Sequence, residues 1–174
     1  PRNVVTSYAH HNSISIYESA ERMINSINYG GNLESHNISD RTKVYMGSWS
    51  SNFNSWKSFK SPGKYLLVKY EDLVNDKEKT FYQILNFIHK LKKINLSIDK
   101  KKFNNAINST SFEKLKDLEK KEGFIESKVN IKTGKKIPFF NLGSKNNWKN
   151  ILEDEIRKKI EDSFKKEMIE LGYL

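Results

Sequence analysis

The sequence predicts an α/β fold in which helices outnumber strands and pack over a sheet. Three observations predict it. Apolar residues recur at helical spacing over most of the 174 positions, as amphipathic helices require. A short run at 64–70, between a turn and an acidic pair, has strand character. Aromatic residues make up 12% of the chain, enough to build a packed interior. A chain of this length suits one domain, so 1–174 is expected to form a single domain.

The elements follow in order. Residues 4–8 open apolar and turn polar at Thr6 and Ser7, as a strand ending or a helix beginning would. The stretch 13–27 carries Ile14, Ile16, Tyr17, Ala20, Met23, Ile24 and Ile27 largely at helical spacing. Tyr29-Gly30-Gly31-Asn32 stops that helix, because glycine relieves the steric cost of a turn. Residues 32–41 are polar and read as a loop. Within 44–59, Trp49, Phe53 and Trp56 sit at i, i+4, i+7 on one helical face and read as core.

Ser61-Pro62-Gly63 is a turn signal, and the strand 64–70 follows it. Asn75 or Asp76 can cap a helix running through His89, with Phe81, Ile84, Leu85 and Ile88 on one face. A short helix covers 99–107. Thr110-x-x-Glu113 has the capping-box pattern, so a helix is expected from Ser111 to about Lys120. Residues 123–138 look irregular, with a turn at Gly134. The last helix, 152–170, places Ile156, Ile160, Phe164 and Met168 in one stripe, and Gly172 ends it.

Lys and Arg number 31 against 21 Asp and Glu, a net charge of +10. That charge attracts anions such as nucleotides, nucleic acid, acidic lipid or sulfated products without choosing among them; a lysine-rich solvated face explains it equally well. The absence of cysteine excludes disulfides, thiolate metal sites and cysteine nucleophiles. The histidines, His10, His11, His36 and His89, form no metal-binding pattern, so no metal is expected. Apolar runs such as 65–68 are far too short to span a bilayer, and no signal peptide is visible. No membrane association and a cytoplasmic location are therefore expected. The chain opens at Pro1 within what reads as a structured element, so a fragment with residues missing before it is expected.

A series of islands runs in order from the first residue to the last. They are Pro1-Arg2-Asn3-Val4-Val5-Thr6-Ser7-Tyr8-Ala9-His10-His11; Tyr45-Met46-Gly47-Ser48-Trp49 with Trp56; Leu67-Val68-Lys69-Tyr70-Glu71-Asp72-Leu73; Thr110-Ser111-Phe112-Glu113-Lys114-Leu115; and Phe139-Phe140-Asn141-Leu142-Gly143 with Trp148-Lys149-Asn150 and a terminal Leu171-Gly172-Tyr173. Each recurs by chance in many proteins, but their order along nearly the whole chain resembles the cytosolic sulfotransferases that use 3′-phosphoadenosine-5′-phosphosulfate (PAPS). The resemblance implies the P-loop nucleotide-kinase-like sulfotransferase fold, with this chain as the C-terminal portion and the N-terminal half of its parallel sheet missing. It further implies transfer of a sulfuryl group from PAPS to a hydroxyl or amine of a small-molecule acceptor, with no metal.

What the resemblance assigns is donor binding. Sulfuryl transfer, like phosphoryl transfer, is an in-line displacement governed by positioning and charge stabilisation. The donor is gripped by its adenine and its 3′-phosphate. Ser7 matches the hydroxyl on the 3′-phosphate, where a helix start would add backbone N–H groups; read alone, it is a helix cap. Tyr70, Thr110 and Phe112 match positions around the adenine, suited to stacking and hydrogen bonding; read alone, they are a strand end, a helix cap and a core residue.

Asn141, Leu142 and Gly143 stand where the family has Arg-Lys-Gly closing over the 3′-phosphate. Gly143 keeps the close backbone approach, but two positive charges are gone, and Lys145 or Lys149 is the candidate substitute. Asn3 stands where the family has aspartate. Ser50 falls at an acceptor-pocket position that is often aromatic. The catalytic base, catalytic lysine and phosphosulfate loop would lie upstream, so neither His10 nor His11 is assigned catalysis.

Two other classes remain open. One is a catalytically degenerate homologue that only binds. The other is a basic nucleic-acid-binding module, which no RNP, KH or zinc-finger pattern supports. Nucleic acid is not the expected partner. A homodimer stays open, because the family's dimerisation motif, K-x-x-x-T-V-x-x-x-E, is not recognisable between Phe124 and Pro138.

Overall fold

A computed structural model describes residues 1–30, 43–59, 63–95, 97–130 and 132–174. In chain order the elements are α1 (Arg2–Asn12), α2 (Ile16–Ile24), β1 (Ile27–Gly30), β2 (Lys43–Met46), α3 (Trp49–Ser58), α4 (Tyr70–Asn75), α5 (Lys77–Lys92), α6 (Lys100–Ser109), α7 (Phe112–Glu122), β3 (Lys128–Val129), β4 (Lys136–Ile137), α8 (Asp154–Ser163) and α9 (Lys165–Glu170). Short 3-10 turns lie at Gly143–Lys145 and Trp148–Asn150. The chain forms two compact units, Pro1–Trp56 with Asn146–Leu174, and Lys57–Lys145.

The first unit joins the two ends of the chain around one apolar core. Helical geometry starts at Arg2, with Val5 N–H bonded to Pro1 O at 3.0 Å, which settles 4–8 as helix. Ser13 turns the chain between α1 and α2 with a left-handed φ of 52°, and the Ser15 side chain caps α2 by accepting the Glu18 N–H. The buried Ser19 hydroxyl donates to Val5 O at 2.7 Å, so a polar group inside the core has its partner. Around it pack Val5, Ala20, Met23, Ile156, Ile160, Phe164 and Met168.

The predicted apolar stripe of the last helix is thus the core face, but the helix is two helices. Phe164 leaves helical geometry at φ −116°, ψ 17°, while its N–H still reaches Ile160 O and its carbonyl still receives Met168 N–H. The stripe survives the break because the backbone ladder does.

The expected helices at 13–27 and 44–59 are each shorter than the sequence suggests. Ile27 opens β1 and residues 43–46 form β2, paired antiparallel from Ile27↔Met46 to Gly30↔Lys43. Cross-strand pairing overrides local helical periodicity there. Trp49 packs on the core and tilts against Phe164 at 5.2 Å. Trp56, read as core on the same face, is instead 65% exposed, because the packed part of α3 is its first turns. The loop expected at 32–41 and the turn residues Ser61 and Pro62 lie outside the described residues.

In the second unit the clearest predicted strand is not one. Residues 65–69 run without ladder partners among the described residues, and Tyr70 begins α4 instead. Strand propensity gains nothing unless a neighbouring strand takes up the backbone hydrogen bonds.

The helix caps were more legible. Asp76 accepts the Lys79 N–H to start α5, and Asp99 accepts the Lys102 N–H to start α6. For α7 the register differs by one residue from the capping-box reading. Ser111 is the cap, accepting the Lys114 N–H, and Phe112 is the first helical residue.

Within 123–138, expected to be irregular, β3 and β4 form a small hairpin, Lys128↔Ile137 and Val129↔Lys136. The Asn130 side chain accepts the N–H groups of Lys132 and Thr133, and Gly134 closes the turn at φ 67°. Both described ladders are antiparallel. Among the described residues no helix is long and apolar enough to cross a membrane.

Candidate functional site

In the second unit, one face of α7 meets the segment 139–143. Phe112, Lys116 and Glu119 lie at i, i+4 and i+7, which stacks them along one side of a helix. Glu119, only 5% exposed, accepts the backbone N–H groups of Phe139 at 2.6 Å and Phe140 at 2.9 Å. The Ser127 hydroxyl also donates to this carboxylate. Burial alone would raise the Glu119 pKa. The Ser127 hydrogen bond, the two backbone donors and the charge of Lys136 outweigh burial and hold it below the ordinary carboxylate range.

One turn earlier, Lys116 Nζ donates to Asn141 O at 2.7 Å and lies 5.6 Å over the Phe112 ring. At the start of the helix Phe112 packs under Gly143. A Cβ on that glycine would fall 2.7–2.8 Å from the ring, and its φ is +55°, so both space and backbone conformation call for glycine. Phe124, Phe139 and Phe140 form a cluster with ring centroids 5.0–5.3 Å apart, and Phe140 meets Phe112 edge-on at 6.1 Å.

Four sequence-predicted residues, Phe112, Asn141, Leu142 and Gly143, therefore come together through α7. Thr110 stands at the end of α6, where its hydroxyl donates to Ala106 O at 2.9 Å. Lys77 Nζ closes the same end, donating to Ile107 O at 3.1 Å and Thr110 O at 2.9 Å, a favourable place for a cation on the helix dipole. Tyr70 opens α4 and is 55% exposed.

Ser7 belongs to the first unit. It is not at a helix start, as the sequence suggested, but inside α1, because that helix begins at Arg2. Its exposed hydroxyl accepts Asn146 Nδ2 at 2.9 Å. Asn146 Nδ2 also donates to Asn3 O at 3.0 Å, and Thr6 Oγ1 donates to Asn146 Oδ1 at 2.8 Å. Asn3 Oδ1 in turn accepts the Trp148 N–H.

Arg2 stacks 4.1 Å over the Trp148 ring, pairs with Glu161 at 2.7 Å and donates to Tyr173 O at 2.8 Å. Lys149 Nζ lies 5.8 Å from the centroid of the same Trp148 ring. Ser50 sits in α3 with its hydroxyl sealed from solvent. It faces the buried Glu167 carboxylate. Burial would raise that pKa, but donation from Asn54 Nδ2 at 2.9 Å, the backbone and Ser50 leave it lowered.

Sequence reasoning missed Lys116, Glu119 and Asn146. For the first two a signal existed, the i+4 and i+7 spacing from Phe112; Asn146 carried none, since its partners are more than a hundred positions away.

The family model for the sulfotransferase domain matches residues 1–172. The chain belongs to the sulfotransferase domain family. The fold class read from the sequence is the fold of that family. Among solved structures, the crystal structure of mouse sulfotransferase SULT7A1 complexed with PAP resembles this chain with a TM-score of 0.58 at 16% identity. The match covers 97% of this chain and 55% of that one, so this sulfotransferase-family chain spans about half the length of that relative. At this identity the likeness concerns the fold. No curated protein sequence matches the chain.

Proposed function

We propose that this chain is the nucleotide-gripping portion of a PAPS-dependent sulfotransferase. In the reaction an acceptor oxygen or nitrogen bonds to sulfur as the sulfur–oxygen bond to the donor phosphate breaks. The acceptor is a small molecule with a hydroxyl or amine, and 3′,5′-adenosine bisphosphate leaves. The observation that carries this reading is the seating of Gly143 on Phe112, within a chain whose match to the family runs from 1 to 172. It brings an aromatic face and a tight backbone turn into one place, the two features that a purine and a phosphate respectively ask for. The relative crystallised with PAP supports the same donor class.

In this reading Phe112 and Tyr70 offer aromatic surface to the adenine. The Asn141-Leu142-Gly143 segment serves the 3′-phosphate. Thr110 contributes by ending α6 correctly, its hydroxyl being engaged with Ala106 O. Ser50, beneath Glu167, shapes the acceptor side through packing.

A second reading is favoured by Asn141 and Leu142. With no guanidinium in that segment, a homologue that binds without catalysing is the alternative. Titration of the full-length protein with 3′,5′-adenosine bisphosphate tests both. Saturable binding in the micromolar range with PAPS turnover supports the transferase. Binding without turnover supports the degenerate homologue, and retention on DNA with indifference to the nucleotide overturns both.

A further inference from the structure

The contacts between α7 and the segment 139–143 form a zipper that runs in opposite directions along the two pieces. Going up the helix from Phe112 to Lys116 to Glu119, the partners go back along the chain from Gly143 to Asn141 to Phe140 and Phe139. Two of the three rungs grip backbone atoms and so act on the course of the chain whatever its side chains are. The third requires glycine.

Glu119 is the rung that asks for an explanation. A carboxylate removed from water costs free energy that its hydrogen bonds must offset, and apolar residues of similar size commonly fill such places with equal or better stability. Here the carboxylate takes the N–H groups of consecutive residues, Phe139 and Phe140, which fixes the direction of the chain entering Asn141. Lys116 then takes the Asn141 carbonyl. The peptide planes on both sides of the Phe140–Asn141 link are therefore set by side chains of α7.

We propose that Glu119 and Lys116 are positioning residues for nucleotide binding, holding the 139–143 segment in the backbone shape that receives the 3′-phosphate. This rests on the reading given under Proposed function. With arginine and lysine replaced by Asn141 and Leu142, recognition at this segment depends on backbone placement, and backbone placement depends on α7. Neither residue touches the nucleotide, and both act through the segment.

The test uses the full-length protein and measures the Kd for 3′,5′-adenosine bisphosphate, KM and kcat for PAPS, and the melting temperature. Glu119→Gln keeps the shape but can accept through one oxygen only. It is expected to raise Kd and KM about tenfold, the size of a lost charged hydrogen bond, while kcat at saturating PAPS stays within about twofold. Lys116→Met keeps the stem and loses the contact to Asn141; the expected rise is smaller, about threefold to tenfold. Lys116→Arg, which retains a donor, is expected to restore most of the affinity.

Because Lys116 is only half-buried, its variants test the idea even if Glu119→Gln folds poorly. Wild-type protein that binds the bisphosphate, with Lys116→Met and folded Glu119→Gln binding equally well, would overturn this inference alone. Wild-type protein that binds no bisphosphate overturns the donor-binding reading itself, and this inference with it.

Discussion

Asn3 Oδ1 accepts the backbone N–H of Trp148 at 2.9 Å, across 145 positions of sequence. Together with Asn146, which donates to both Asn3 O and the Ser7 hydroxyl, it fastens the beginning of the chain to the segment that leads into α8. The family's aspartate at this position could serve as the same acceptor. Asn3→Asp is therefore expected to leave stability nearly unchanged, whereas Asn3→Ala orphans the Trp148 N–H and costs about 1–2 kcal/mol. Urea unfolding of the two variants decides it; equal loss in both would show that the acceptor oxygen is not what matters.

Gly143→Ala combines two penalties. The added methyl would meet the Phe112 ring at 2.7–2.8 Å, and φ at +55° is unfavourable for alanine, by about 1–2 kcal/mol. Nucleotide affinity is expected to fall at least tenfold. The double variant Gly143→Ala with Phe112→Leu makes room for the methyl but keeps the backbone strain, so the melting temperature, which does not depend on the ring face offered to the adenine, should recover only in part. Full recovery would mean that the clash alone had been responsible.

Acid should loosen both units. The carboxylates of Glu119 and Glu167 have folded-state pKa values below the ordinary 4.5, so the unfolded chain holds their protons more tightly than the folded one. The stability they contribute is present in full above 4.5 and is lost as pH falls through the lower folded values. Melting temperature is expected to drop on acidification through this window. The drop should be shallower in Glu119→Gln, which has no carboxylate to protonate there; an identical slope in the variant would remove Glu119 from the account.

Restoring the missing cations should strengthen donor binding. Asn141→Arg keeps the backbone carbonyl that Lys116 uses, since that bond does not involve the Asn141 side chain. A charged hydrogen bond to phosphate is worth roughly 1.5–3 kcal/mol, so affinity for 3′,5′-adenosine bisphosphate is expected to rise about tenfold or more. The gain should shrink with added salt if the new guanidinium remains solvent-accessible. An unchanged Kd would show that this segment does not face the phosphate.

Local signals were read well where the deciding chemistry is local. Asp76 and Asp99 cap helices because a short carboxylate reaches an N–H a few residues on, and the stripe of Ile156, Ile160, Phe164 and Met168 is buried because helical spacing puts it on one face. Local signals mislead where a distant partner decides the conformation. Residues 64–70 have strand composition without a ladder to join among the described residues, and 43–46 left helical periodicity to pair with β1. Ser7 lies inside α1 and not at its start, because nothing local to Ser7 marks Pro1 as the cap and Arg2 as the first helical residue.

By itself the sequence determined the family, the helical character of the chain and the residues to inspect for donor binding, since order of motifs, periodicity and capping are written along one strand of text. Tertiary structure alone decided that Glu119 and Lys116 hold the 139–143 segment, and that Asn146 ties Ser7 to Asn3. The physical reason is range. A hydrogen bond between groups many residues apart depends on how the intervening chain is folded, and no local preference of either partner encodes that path.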